Sequence, residues 1–284
     1  MMRTAKIRKI AMRLAIIGAT GKIGRTFIEL LQEVDTSMLP KSIRLVASER
    51  SSGQKIQVLD ESVVVEALEV FDFSEVDCAF FALSHELTEK YIPIAREKCR
   101  LVIDNSSAYR LHKDVPLIVP EINFSDWEKM GRPNLISNPN CSTIQMVVAL
   151  HPIFKSFGIR RIDVATYQSI SGAGSRALKD FEASLAGEKG GDGAESVLNV
   201  VPMIDRMLDT GMTKEEMKMH WESRKIWSSQ SLTVQATCVR VPVMVGHAEA
   251  IHVEAEQVID WEVLSDSLDK QSGLVWHKEG MVTP

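Results

Sequence analysis

The stretch Asn138-Pro139-Asn140-Cys141-Ser142-Thr143 sets a thiol at a turn, and an apolar run, Ile144 to Leu150, follows at once. Asn and Pro ahead of the cysteine discourage helix, whereas Ser142 or Thr143 can cap one. Cys141 therefore falls at a helix N-terminus, where the dipole and unpaired amides favour thiolate over thiol. Such a sulfur can attack an electrophilic carbonyl, provided a proton-handling group lies nearby. Histidine suits that task near neutral pH, and the chain has seven. The commoner fate of a cysteine is a small buried hydrophobe. Cys78, Cys99 and Cys238 read that way, as reduced thiols in strand-like runs or at a helix end. No Cys or Cys/His cluster has metal-site spacing, so no metal is expected.

A second chemistry lies upstream. The apolar run Arg13 to Ile17 ends in Gly18-Ala19-Thr20-Gly21-Lys22-Ile23-Gly24, and Ile23, Phe27, Leu30 and Leu31 then share a helical face. Strand, Gly-rich turn and helix open a dinucleotide-binding unit, in which backbone amides approach a pyrophosphate at the helix N-terminus. The next strand, Ile43 to Ala47, ends in Ser48-Glu49-Arg50-Ser51, at the place where such a fold reads the ribose. A carboxylate there favours NAD and an arginine NADP. Arg50 with Ser51 points to NADP, with Glu49 beside it as the competing ribose contact. Arg110, in a polar loop after the strand Leu101 to Asp104, is a candidate anion clamp.

The elements that must position these groups alternate. Candidate strands at Val63 to Val65, Asp77 to Leu83 and Leu101 to Asp104, with a helix His85 to Arg100, predict an α/β fold: a Rossmann-type doubly wound parallel sheet. From Asn138 the pattern changes. A helix Cys141 to Phe157, a strand Arg160 to Ser169, a helix Ser175 to Ala186, a helix capped by Thr213 with Glu216 in a capping box, extended segments Leu232 to Val245 and Ala248 to Ile259, and a helix Trp261 to Lys270 predict a second α+β domain with a mixed or antiparallel sheet.

With 284 residues, 45% hydrophobic and 25% charged, the composition is that of a globular chain of one large or two ordinary domains. A net charge of -5 argues against general binding to nucleic acid or a membrane surface. No apolar run approaches the roughly 20 residues that span a bilayer. Met1 to Ala11 is short and basic, without the apolar core of a secretory signal. It reads as an extension, or Met12 as the true start.

Taken in order, Gly18 to Gly24, Ala47 to Ser51, Asp104 to Arg110, Asn138 to Thr143, Tyr167 to Gly174, Glu215 to Met219 and Cys238 to His247 resemble the aspartate-β-semialdehyde dehydrogenase family. The resemblance implies residues 12–137 as an NADP-binding domain and 138–284 as a catalytic and dimerisation domain. It implies reversible reduction of aspartyl-4-phosphate by NADPH to aspartate-4-semialdehyde and phosphate, in the synthesis of lysine, threonine and methionine. Cys141 would form the thioester and His247 serve as acid/base. Gln168 would orient the thioester, Asn140 support its oxyanion, and Arg240 hold the substrate carboxylate. Arg110 and Lys218 would bind phosphate. Glu216 matches a substrate-amino contact and, equally, a capping-box glutamate. Gly18, Thr20, Gly21, Lys22, Ile23, Arg50, Ser51, Ser171 and Gly172 would meet the cofactor.

The resemblance also implies a cytoplasmic homodimer or dimer of dimers. The family has a Gly-Gly pair where this chain has Ser84-His85, next to the cofactor. It also continues past the position of Pro284 with a strand and a helix that returns to the nucleotide domain; without that segment an exposed apolar surface and sheet edge are expected. The competing readings are a relative of N-acetyl-γ-glutamyl-phosphate reductase and a non-catalytic subunit of this fold.

Overall fold

A computed structural model describes residues 12–188, 199–277, 279 and 283. The extension read at residues 1–11 lies outside them. Two compact units are present: residues 12–109 with 132–138, and residues 110–131 with the described part of 139–284. The chain passes from the first unit to the second after Asn138, and residues 110–131 lie with the second.

The first unit holds a sheet of seven strands in the order β3-β4-β2-β1-β5-β6-β7. The strands are β1 Arg13–Ile17, β2 Ser42–Ala47, β3 Lys55–Val58, β4 Glu61–Ala67, β5 Cys78–Phe81, β6 Leu101–Asp104 and β7 Leu135–Ser137. All neighbours are parallel except β3 on β4. The expected parallel sheet is thus mixed at one edge, because the two-residue turn Leu59-Asp60, with Leu59 at φ +51°, folds β4 back along β3. Central β1 is apolar and almost fully buried, as a strand covered on both faces must be. Helix α1, Lys22–Leu30, follows it, and α2, His85–Lys98, joins β5 to β6.

Strand order reverses between β1 and β5, the switch point at which such sheets bind ligands. Ser84 caps α2 by accepting from Leu87 N, which accounts for Ser84-His85 at this turn. Short β7 and the kinked helix α3, Pro120–Lys129, were not read from the sequence. Three residues are too few to show a period, and α3 bends at Asn123.

The second unit packs α4, Cys141–Phe157, and α6, Lys214–Ile226, on a three-stranded sheet. Its order is β10-β8-β9, from β8 Ile159–Gln168, β9 Thr233–Arg240 and β10 Ala248–Ala255. β8 and β9 run parallel and β10 antiparallel, so the sheet is mixed. Met146, Val147, Ile159, Ile162, Met219 and Cys238 centre the core between helices and sheet. Helices α5, Ser175–Leu185, and α7, Trp261–Lys270, also belong to this unit, as does α3. The extended stretch read as running to Val245 stops at Arg240, ahead of Pro242, and β10 ends at Ala255 rather than Ile259. Among the described residues no helix is long and apolar enough to cross a membrane.

Candidate active site

Register gathers the site in the second unit. Gln168 and Arg240 are paired as the last residues of parallel β8 and β9. Ala248, which opens β10, lies opposite Tyr167, so His247 falls at the same end of the sheet. Cys141 begins α4. The cap is Asn140, whose Oδ1 accepts from Ser142 N (3.0 Å) and Thr143 N (3.2 Å). Ser142 and Thr143, named above as candidate caps, are buried inside the first turn. A cap must precede the helix with extended backbone, and Asn140 does so at φ −61°, ψ 147°.

Cys141 Sγ lies 3.3 Å from His247 Nε2. On the other side of the ring, Nδ1 accepts the backbone N–H of Ser169 at 3.0 Å, and Ser169 Oγ lies 3.1 Å away. An amide can only donate, so the neutral ring carries its proton on Nε2 and offers it to the sulfur. Burial and the nearby Arg240 charge hold His247 below the ordinary histidine value, which keeps the ring neutral. The thiol shifts against the sequence expectation. Cys141 reaches solvent, yet the atoms crowding its sulfur cost the thiolate its hydration. That desolvation, with the Glu215 charge, pushes the thiol up; Ser142 and Arg110 only partly offset it. The other cysteines are buried, with thiols raised to about 12 for Cys78 and Cys238 and about 11 for Cys99.

Arg240 Nη1 donates to the Ser169 carbonyl at 2.7 Å. Gly172 permits that arrangement. A Cβ there would stand 3.0 Å from Arg240 Nη1 and 3.2 Å from His247 Cε1, so any side chain presses on both groups. Its neighbour Ser171 lies with its Oγ 3.0 Å from Ser169 Oγ.

Beneath the sulfur runs a buried polar network on α6. Glu215 Oε1 accepts from Asn140 Nδ2 at 2.9 Å and Gln168 Nε2 at 3.4 Å, and Oε2 accepts from Lys218 Nζ at 2.8 Å. Burial alone would raise Glu215, but Lys218 and these donors pull it below the ordinary value. Lys218 also donates to Asp205 at 2.8 Å, and the two carboxylates raise its ammonium against the burial that opposes them. Glu222 Oε1 accepts from Arg110 Nη1 at 3.0 Å, and its Oε2 from Asn140 N at 2.6 Å. Burial pushes the Glu222 carboxyl up, opposed by Arg110 and the Asn140 amide.

Glu216 is the exception among the residues picked from the sequence. Its carboxylate accepts from Thr213 N (2.7 Å) and Cys238 N (3.2 Å), closing a capping box. Its neighbour Glu215 is the glutamate that faces Asn140 and Gln168. Glu215, Glu222, Lys225 and Ser169 were not found from the sequence. A signal existed: Glu215, Lys218, Glu222 and Lys225 follow at three, four and three residues along one helical face, which ordinarily reads as a solvated stripe.

In the first unit the turn after β1 suits a pyrophosphate. Gly18 sits at φ +90°, and a Cβ there would lie 2.3 Å from the Ala82 carbonyl oxygen, so the turn is bare backbone pressed on the end of β5. Gly21 caps α1 with no side-chain bond; Thr20, Lys22 and Ile23 flank it. Arg50 is exposed and Ser51 buried in the turn after β2.

Residues 13–130 match a family model described as semialdehyde dehydrogenase, NAD binding domain, and residues 150–282 match its dimerisation domain. Aspartate-semialdehyde dehydrogenase 2 of Vibrio cholerae is 45% identical over 267 residues, 92% of this chain and 79% of that protein. The Aquifex aeolicus aspartate-semialdehyde dehydrogenase is 40% identical, covering 93% and 79%. The crystal structure of aspartate semialdehyde dehydrogenase II complexed with ASA from V. cholerae superposes with a TM-score of 0.86 at 44% identity, over 92% of this chain and 80% of that one. The Candida albicans aspartate semialdehyde dehydrogenase with NADP gives 0.69 at 26% identity, over 92% and 76%.

Proposed function

The chain belongs to the aspartate-semialdehyde dehydrogenase family, and from that premise we propose that it reduces aspartyl-4-phosphate reversibly through a thioester on Cys141. It is an NADP-dependent enzyme of amino-acid biosynthesis. These relatives do not favour the reductase reading or the non-catalytic one. The observation that carries the mechanism is the 3.3 Å contact of Cys141 Sγ with His247 Nε2 at the head of α4.

Sγ attacks the acyl carbon as the thiol proton passes to a phosphate oxygen; the carbon–oxygen bond breaks, and phosphate leaves with the electron pair and that proton. NADPH, when bound, supplies the hydride that converts the thioester to the aldehyde. The His247 Nε2–H hydrogen-bonds the oxyanion that forms, then the thiolate that departs, which takes a proton from solvent to restore the thiol. Gln168 orients the acyl group and Asn140 supports its oxygen. Arg240 takes the α-carboxylate, a task suited to a planar two-donor fork. Arg110 and Lys218 hold phosphate, and Glu215 rather than Glu216 meets the amino group. Gly18, Thr20, Gly21, Lys22 and Ile23 would cradle the pyrophosphate, Arg50 and Ser51 the 2′-phosphate, and Ser171 and Gly172 the nicotinamide end. The match of residues 150–282 to a dimerisation domain supports a homodimer or dimer of dimers. Three buried free thiols support a reducing cytoplasmic setting.

The test is reduction of NADP by aspartate semialdehyde with and without inorganic phosphate. Turnover is expected to require phosphate, and Cys141→Ala to lower kcat at least about a thousandfold. Near-normal turnover in a folded Cys141→Ala enzyme overturns the mechanism.

A further inference from the structure

Glu222 is 1% exposed, and its two oxygens serve two distant segments. Oε1 takes the Arg110 guanidinium (3.0 Å), and Oε2 takes the backbone N–H of Asn140 (2.6 Å), the residue that caps α4 just before Cys141. One turn further along α6, Lys225 Nζ donates to the carbonyls of Arg110, His112 and Val115, each at 2.7 Å. An ammonium has three donors, so all are committed. Arg110 is thereby held twice from one helix, at its guanidinium and at its own carbonyl. A buried ion pair is weak evidence for stability, because desolvation consumes most of its Coulomb energy. The geometry fits a different purpose.

We propose that Glu222 is a positioning residue: it ties the Arg110 guanidinium to the Asn140–Cys141 turn and so fixes the distance between phosphate and attacking sulfur. This rests on the reading of Arg110 as a phosphate ligand. Charge and position predict opposite signs here. Removing the carboxylate leaves more uncompensated positive charge at the site, which by electrostatics alone tightens phosphate binding. Losing the tether lets the guanidinium drift, and misplacement by about 1 Å costs on the order of a hundredfold.

The test is Glu222→Gln in the full chain, with KM for inorganic phosphate and kcat measured separately. A second readout is the phosphate concentration that half-protects Cys141 from iodoacetamide. The expected result is a rise of about ten- to a hundredfold in both phosphate constants, with KM for aspartate semialdehyde within about threefold. An unchanged or lower phosphate KM overturns the proposal. Should Glu222→Gln not fold, Glu222→Asp keeps the charge but falls one methylene short of its two partners. The same rise is expected there, and a normal constant overturns the proposal. Arg110→Lys separates the two layers. An unaltered phosphate KM in that variant removes the reading beneath, whereas a weakened one beside a normal Glu222→Gln enzyme removes only the positioning role.

Discussion

At the turn after β1, side chains are almost excluded. Gly18 lies against the Ala82 carbonyl with no room for a Cβ, and α1 begins without a side-chain cap. Around Cys141 the reverse holds. Glu215, Glu222 and Arg110 are buried charges, and Asn140 and Gln168 are buried amides, each tied to at least one of the others. The first site is made of backbone geometry supplied by neighbours in sequence. The second is made of side chains whose partners lie 112 residues apart for Arg110–Glu222 and 106 for Cys141–His247. A site built from backbone tolerates changes around it but not at its glycine. A site built from buried charges fails wherever one member leaves another unpaired.

The most damaging change expected is Glu215→Ala. It strips Lys218 of one of its two carboxylates and leaves the Asn140 and Gln168 amides without this acceptor in a buried setting. Breaking a buried pair by removing one partner costs roughly 3–5 kcal/mol, and urea unfolding should show a loss of that size together with a collapse of kcat. Glu216→Ala, one residue on, removes the capping box and the acceptor of the Cys238 N–H, and should cost about 1–2 kcal/mol with kcat within about twofold. Equal effects at the two positions would break the contrast between network and cap.

Gly18→Ala is next in size. A Cβ 2.3 Å from a backbone oxygen cannot be accommodated by a side-chain rotation, and φ +90° adds strain. Overpacking and strain together should cost about 3 kcal/mol, with NADP affinity lost in fluorescence titration. Iodoacetamide labelling of Cys141 should keep its wild-type rate, because the sulfur's neighbours belong to the second unit.

What the sequence made legible divides along the same line. The Gly18 turn could be read directly, since a tight strand-to-helix turn is specified within seven residues. The α4 start and the Thr213–Glu216 box were also local and were read correctly. Gln168, Arg240 and His247 were found only through family resemblance, because β-sheet register, not sequence spacing, puts them at one end. Glu216 was picked from the sequence and Glu215 was not, because both sit in the first turn of α6. Only the direction of each side chain distinguishes the cap from the network. β3 and β7 are short, with four and three residues, and carry too little pattern to register.

The smallest effect expected is on a titration rather than on folding, and it decides how the two kinds of site treat charge. A helix N-terminus stabilises an anion by about 0.3–1 kcal/mol when exposed, less than the 1.4 kcal/mol of one pKa unit. Desolvation of the Cys141 sulfur and the Glu215 charge oppose it and prevail, so the thiol is raised. The rate of alkylation by neutral iodoacetamide should therefore still climb above pH 9, where an ordinary cysteine of pKa about 8.5 has largely levelled off. The sign at each neighbour follows. Glu215→Gln removes a like charge and moves the midpoint down; Arg110→Gln removes an opposite charge and moves it up. A plateau already reached below pH 8 would show that the helix terminus outweighs burial. The sulfur would then be a resting thiolate, and the His247 Nε2–H would be a standing hydrogen bond to that anion. A profile that climbs past pH 9 instead means that the free enzyme holds its nucleophile as a thiol.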